Sequence, residues 1–388
     1  MGRIGGADDF MGAREKEKAA AVVERKRAAG LWQRFEAAGG IRAWKEALAD
    51  PELRSWAFCE RLCHESAAVA EDDPRRAGSL AELALELAST LPGELRGEKD
   101  RRAQTLEYVW VHLGNVRRIL GDLEGAEEAF KKAQRCFIDA VGLLPSVLDR
   151  GRTEALQALL RRDRGQFREA LEKLDFGLRF LDAKAPDRPA FLLEKGRLHR
   201  RLGNPERAVQ PLAEAAETVA AGADPRLLLR IRLELGSALC EMGRYEEARS
   251  LPALPPAAGG EGEVGGEGMR LICLEGRIAA GAGRLEEAEA ALRKAYRAFQ
   301  EGPAQDGTSG ADLALLSLEI AALCAREERR TGMREVTGMI QELSASPALG
   351  REAAATLKLF CRLAGQDKLS AERAARFAED FSKSSSRG

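Results

Sequence analysis

Residues Leu113–Phe130 read LGNVRRILGDLEGAEEAF. Beyond Gly121 the apolar residues Leu123, Ala126 and Phe130 fall three and four apart, the spacing of one helix face. Gly121 follows a helix of three to four turns, at the C-cap position where a positive φ is wanted and where glycine pays no Cβ penalty. Gly114 lies inside the first helix, where glycine costs about 1 kcal/mol relative to alanine. Its missing side chain is therefore expected to let a second backbone approach. The stretch encodes helix, turn and helix, not a reactive loop.

The same unit recurs as RRDRGQFREALEKL at 161–174, KGRLHRRLGNPERAVQPL at 195–212, LGSALCEMGRYEEARSL at 235–251 and EGRIAAGAGRLEEAEAAL at 275–292. The turn glycines Gly121, Gly165, Gly203, Gly243 and Gly283 are 44, 38, 40 and 40 residues apart, a period that points to stacked repeats. After each turn a bulky residue (Leu123, Phe167, Tyr245 or Leu285) is followed three positions later by Ala126, Ala170, Ala248 or Ala288. Neither helix of such a pair can bury its apolar stripe alone, so adjacent pairs must stack and the ends must be capped.

The ordered set of large and small positions, Trp110, Leu113, Gly114, Ala126, Phe130 and Ala133 in WVHLG followed by GDLEGAEEAFKKA, resembles the tetratricopeptide repeat family over about residues 105–300. The resemblance implies an all-α fold, a right-handed superhelical stack of antiparallel helix pairs, whose first helices face a groove that receives a peptide, a protein segment or another helix. Where the family usually carries a tyrosine-like side chain, this chain has Arg117, Arg161, His199 and Leu239.

Five segments are expected around this core. Residues 1–12 read as a flexible tail and 13–100 as an N-terminal helical, capping region, with one surface helix from Ala13 to Ala38 that docks through Leu31, Trp32 and Phe35. Further helices are expected near 41–49, 51–70 and 74–91, with Pro51 and Pro74 in first turns, where proline sacrifices no intrahelical bond. The array spans 101–300, interrupted at 252–269 by PALPPAAGGEGEVGGEGM, which shortens the second helix of its unit and reads as a disordered surface excursion. Residues 301–381 read as a degenerate repeat and capping helices, the last capped by Ser370, and 382–388 as a flexible tail.

With 61 Lys plus Arg against 62 Asp plus Glu, the net charge of -1 argues against a surface built throughout for nucleic acid or anionic membrane. Seven cysteines without framework spacing, no apolar leader and no span of roughly 20 apolar residues lead to the expectation of a cytoplasmic protein with reduced thiols. Cys59 and Cys63 stand one turn apart but lack the further ligands a closed zinc site needs, and all seven cysteines read as small core residues. His64, His112 and His199 lie far apart in sequence, none begins an HExxH pattern, and each reads as a packed or half-exposed imidazole. No enzyme, cofactor or metal site is expected.

Function is expected on the first-helix face, at Asn115, Arg118, Arg152, Arg162, Arg197, Arg200, Arg230, Arg270 and Arg277. Clustered arginines there would dock an acidic protein or peptide segment by paired hydrogen bonds. Val111 and Leu193 occupy the places where the family's terminal-carboxylate clamps use lysine, so a clamp of that kind is not expected. The leading expectation is a non-catalytic scaffold or adaptor. The alternatives are a regulatory module of a transcription or signalling system acting with a separate effector protein and, less favoured, an RNA-binding repeat.

Overall fold

The computed structural model describes residues 6–70, 72–139, 148–219, 224–251, 266–301, 310–345 and 351–385, and every regular element among them is helical. The chain divides into two compact units, residues 1–188 and 189–388.

Unit 1 contains α1 (Gly6–Ala37), α2 (Trp44–Ala49), α3 (Trp56–Val69), α4 (Pro74–Ser89), α5 (Arg96–Ile119), α6 (Leu123–Asp139), α7 (Arg150–Asp163) and α8 (Phe167–Phe180). Helix α1 starts inside the stretch expected as a tail at 1–12: once the strong helix formers after Ala13 have nucleated a helix, each further turn propagates easily. Its docking end is as expected, with Leu31 and Phe35 buried and the Phe35 ring edge-on to Phe58. The helix expected over 51–70 is divided. Pro51–Leu53 forms a short 3-10 turn, and Ser55, extended, caps α3 by accepting from the Phe58 amide at 3.2 Å. Pro74 opens α4, with Asp73 accepting from the Arg76 amide at 3.0 Å. Cys59, Leu62 and Cys63 of α3 meet Leu80, Leu83 and Leu87 of α4 in the core, and each buried leucine contributes roughly 1.5–3 kcal/mol.

Unit 2 holds α9 (Arg188–Arg201, whose first residue closes unit 1), α10 (Pro205–Thr218), α11 (Pro225–Glu241), α12 (Tyr245–Ser250), α13 (Gly266–Gly281), α14 (Leu285–Glu301), α15 (Gly310–Arg326), α16 (Arg330–Ser344), α17 (Arg351–Gly365) and α18 (Ala371–Ser385). Helix α12 is short, as expected. The interruption expected at 252–269 lies outside the described residues up to 265, and α13 already begins at Gly266, earlier than the glycine content suggests. Helix α18 packs against both α15 and α17 and is capped by Ser370, whose hydroxyl accepts from the Arg373 amide at 3.3 Å. It runs to Ser385, into the stretch expected as a tail at 382–388.

The repeat turns obey the expectation. Gly121, Gly165, Gly203, Gly243 and Gly283 have φ between 72° and 83°. At each, the following amide reaches five residues back, as Asp122 N to Arg117 O at 2.9 Å and Arg284 N to Ala279 O at 2.8 Å, the bond that closes a Schellman motif. The same turn recurs where no glycine marks it. Glu328 (φ 52°) and Asp367 (φ 56°) take the left-handed conformation, with Arg329 N on Cys324 O at 2.9 Å and Lys368 N on Leu363 O at 3.1 Å. The pairs α15/α16 and α17/α18 thus keep the repeat's turn after its glycine signature has gone.

The glycines inside first helices behave differently from expectation. What fills the space is a side chain, not a backbone: a Cβ at Gly196 would lie 2.4 Å from Leu212, at Gly276 2.8 Å from Leu292 and at Gly114 2.9 Å from the Phe130 ring. At Gly236 the filler is Leu274 of α13, because α12 stops too early to supply one. A true backbone approach occurs at a pair the repeat pattern did not mark, Gly151 and Gly177, where a Cβ on Gly151 would sit 2.4 Å from the Leu181 nitrogen.

Candidate functional site on the first-helix faces

Within each unit the first helices of successive pairs are neighbours, α5 beside α7 and α11 beside α13. In unit 2 their facing sides carry a ladder of opposite charges. Arg197 donates to Glu194 at 2.8 Å within α9 and to Glu234 of α11 at 3.0 Å. Arg200 reaches Glu234 and also Glu241 at 3.2 Å, and Arg277 of α13 reaches Glu319 of α15 at 2.8 Å. The partners on neighbouring first helices lie 34 to 42 residues apart, one repeat, so the ladder is written by the same periodicity that writes the fold. These side chains keep roughly a tenth to two fifths of their surface exposed.

Unit 1 begins the same way and then departs from it. Arg118 donates to Asn115 at 3.0 Å and to Asp163 of α7 at 2.6 Å, and Arg162 donates to Asp163 at 2.7 Å. One turn up α5 the polar groups are no longer simple ion pairs. Tyr108, His112 and Asn115 lie four and three residues apart on one face, all buried. Arg152 of α7 donates to the Tyr108 hydroxyl at 3.3 Å and to Asp187 at 2.6 Å, and the same hydroxyl lies 3.1 Å from His64 Nε2 on α3. Tyr108 and His112 stack with ring centroids 4.5 Å apart, and His64 and His112 are 6.5 Å apart.

Donor logic orients this chain. A guanidinium only donates, so the Tyr108 oxygen accepts from Arg152, and its own proton is available to His64 Nε2 in the tautomer that leaves that nitrogen bare. The electrostatics agree: burial, then the charge of Arg152, lowers His64 to about 4, so the imidazole is neutral at physiological pH. Burial followed by Arg152 and His64 pushes His112 well down, and burial raises the Tyr108 phenol far above its ordinary value. Arg152 itself is pulled down by burial, but Tyr108 and Asp187 outweigh that and hold it firmly charged. Two buried atoms among Tyr108, His112, Arg152, Asp187 and His64 have no hydrogen-bond partner, His112 Nε2 and Asp187 Oδ1. Nearby on α5, burial raises Glu107 to about 7, opposed by Arg150 and aided by Glu154.

The residues singled out in the sequence therefore divide. Asn115, Arg118, Arg152 and Arg162 belong to unit 1's face, and Arg197, Arg200 and Arg277 to the ladder of unit 2. Arg230 is half-buried on α11 and Arg270 exposed on α13. The histidines are packed imidazoles as read, and His64 and His112, far apart in sequence, lie adjacent in space, because 48 residues is close to one repeat. The signal was the polar stripe Tyr108, His112 and Asn115 on a helix otherwise destined for burial. Cys59 and Cys63 are core thiols as expected, with burial lifting Cys59 to about 12. Among the described residues no group of three or more His, Cys, Asp or Glu is placed to hold a metal ion, and no helix is long and apolar enough to cross a membrane.

Tetratricopeptide repeat family models match residues 108–135 and 156–225. A search of curated protein sequences found no match. Among solved structures, the chain is similar to a Rap protein complexed with Competence and Sporulation Factor (TM-score 0.53, 11% identity, 86% of this chain and 89% of that one). It is also similar to the apo form of RapI (TM-score 0.50, 11% identity, 85% and 99%). A tetratricopeptide repeat protein from Parabacteroides merdae matches at a TM-score of 0.47 and 15% identity, covering 78% of this chain and 98% of that one. Residues 108–135 and 156–225 thus match tetratricopeptide repeats, and the seven Schellman turns among the described residues and the stacked antiparallel helix pairs of each unit give the chain a tetratricopeptide-like fold.

Proposed function

We propose that the chain is a non-catalytic scaffold or adaptor that binds a protein or peptide segment along its first-helix faces. The observation that carries this reading is the registration of accessible polar groups, one set per repeat, on neighbouring first helices: Arg118 with Asp163, Arg197 and Arg200 with Glu234, and Arg277 with Glu319. Rows of that kind read a segment by exchanging charged hydrogen bonds, and they favour encounter and register more than raw affinity. Because each arginine of the ladder already faces a carboxylate, unit 2 suits a partner of mixed charge, and an acidic group is better served by Arg152 in unit 1. Alternating signs also disfavour the RNA reading, since phosphate binding draws on a one-signed field.

The reading is tested by selecting peptides from a random display library on the full chain and measuring their affinity by calorimetry. The swapped pair R277E/E319R, which keeps the ladder's pairing but reverses its polarity, is expected to weaken selected peptides about tenfold, whereas Arg293→Gln on second helix α14 leaves them unchanged. Equal affinity for wild type and swapped chains, across peptides selected independently, overturns the first-helix assignment.

A further inference from the structure

We propose that unit 1 holds a carboxylate seat built from Arg152, Tyr108 and His112 with His64 at its rim, and that a carboxylate of the bound segment enters it in place of the chain's own Asp187. The inference rests on the reading that first-helix faces take a protein segment, and it assigns the chemistry of one contact.

The seat has a floor and an opening. Tyr108 and His112 are 2% exposed, while the side chains of Arg152 and Asp187 keep 13% and 28% of their surface. Of the floor groups, His112 Nε2 has no hydrogen-bond partner, and a buried polar atom left unpaired in a native fold calls for an explanation. A ligand atom supplies one. The sign of that ligand follows from the surrounding charge. His64 is disfavoured as a cation by Arg152, Arg25 and Arg61, and only Asp187 opposes them. Arg25 is committed to Glu60 and Arg61 to Glu65, while Asp149 accepts from the Arg152 amide at 3.1 Å as the cap of α7. A metal cation would enter against the fixed guanidinium, whereas an anion meets it together with the phenol and imidazoles.

Asp187 then acts as a stand-in. It sits in the turn before α9, where Ala185 N bonds Asp182 O and Arg188 N bonds Ala185 O. It engages Arg152 through Oδ2, while Oδ1 is left buried without a partner. A planar carboxylate approaching along the face can satisfy the guanidinium with both oxygens, the geometry that makes such pairs strong. A carboxylate has two sources, a chain terminus or an Asp or Glu side chain.

The chain has three histidines, and His199 in unit 2 serves as internal control. With the full chain carrying carbon-labelled imidazoles, N-acetylglycine (terminal mimic), the α-amide of N-acetylaspartate (side-chain mimic) and neutral N-acetylglycinamide are titrated while the ring signals are followed. The carboxylates are expected to shift His64 and His112 saturably in the millimolar range, with His199 and the neutral amide silent. The carboxylate acting at lower concentration identifies the source. Asp187→Asn removes the stand-in without touching the seat and should tighten binding about threefold or more. Arg152→Gln should abolish it, and Tyr108→Phe, which keeps the ring packing, should weaken it. Silent His64 and His112 signals in both wild type and Asp187→Asn, or equal shifts with the neutral amide, overturn the seat. If display-selected peptides still bind and respond to R277E/E319R in that case, the scaffold reading stands and only the seat has failed.

Discussion

The two units solve the same stacking problem with different chemistry on their first helices. In unit 2 the facing positions are Arg and Glu, paired one repeat apart and partly solvated, so each interaction is modest and replaceable. In unit 1 the equivalent surface includes a phenol, two neutral imidazoles and one guanidinium, mostly buried, with the Tyr108 hydroxyl hydrogen-bonded to both Arg152 and His64. A buried polar network strengthens its own hydrogen bonds and penalises every unmatched atom. The difference teaches that the fold leaves this face free to vary: the ladder can tolerate changes of partner, while the cluster commits unit 1 to one arrangement.

The sharpest contrast should appear in the glycines that set helix approach. Alanine at Gly151 must displace backbone, with Leu181 N at 2.4 Å and Gly177 O at 2.6 Å, so a loss of about 3 kcal/mol is expected. At Gly276 the obstacle is the Leu292 side chain, which can turn, and alanine recovers about 1 kcal/mol of helix propensity, leaving a net change within about 1 kcal/mol. Chemical denaturation of the two variants checks this. Equal losses would break the distinction between rigid and yielding contacts.

Acid should also separate the units. His64 is lowered in the folded chain to about 4 and His112 well below its ordinary value, so the unfolded chain binds their protons first. Their stabilising contribution is full above the unfolded pKa near 6.5 and is lost as pH falls toward the folded values. Between pH 7 and 5 His64 removes roughly 2 kcal/mol, and His112 acts in the same direction. Glu107 works in the opposite sense. Raised to about 7, it favours the folded state below an unfolded value near 4.5, and that contribution is lost as pH rises through 7. Acidification therefore returns a similar roughly 2 kcal/mol through Glu107, which offsets His64 and leaves His112 to set the net loss of unit 1. Hydrogen exchange read helix by helix should show α3, α5 and α7 losing protection before α11 and α13, and His112→Asn should reduce the effect.

Much of this architecture was legible beforehand, because Gly121 through Gly283 need positive φ and their spacing sets the period. The final helices were legible as a degenerate repeat and capping helices, but their turns carried no mark, because Glu328 and Asp367 occupy the glycine position. The first-helix arginines were legible as a face, but their carboxylate partners are supplied by the next repeat, and that pairing depends on helix register, which composition does not reveal. The Tyr108, His112 and His64 cluster was missed for the same reason. Each residue alone has a bland reading, and only the stacking of α3, α5 and α7 brings them together.

The hidden turns give a stabilising test within unit 2. A non-glycine residue in the left-handed region costs roughly 1–2 kcal/mol, part of which glycine repays through unfolded-state entropy. Glu328→Gly and Asp367→Gly should each raise stability by about 0.5–1 kcal/mol, visible as a higher denaturation midpoint. Because Glu328 and Asp367 are far from the unit 1 cluster in sequence and belong to the other unit, acid sensitivity of α3, α5 and α7 should not change.

The smallest expected effect bears most directly on the contrast between ladder and cluster. A double-mutant cycle on Arg277 and Glu319, whose side chains are 32% and 22% exposed, should give a coupling of about 0.5 kcal/mol that fades with salt. The corresponding cycle on Arg152 and Tyr108, using Gln and Phe, should give about 1.5 kcal/mol and respond little to salt, since that charged hydrogen bond is largely desolvated. The comparison depends on this ordering. If the ladder pair couples as strongly as the buried one, partial solvation is not what separates the two faces, and unit 2 must be regarded as the more committed surface.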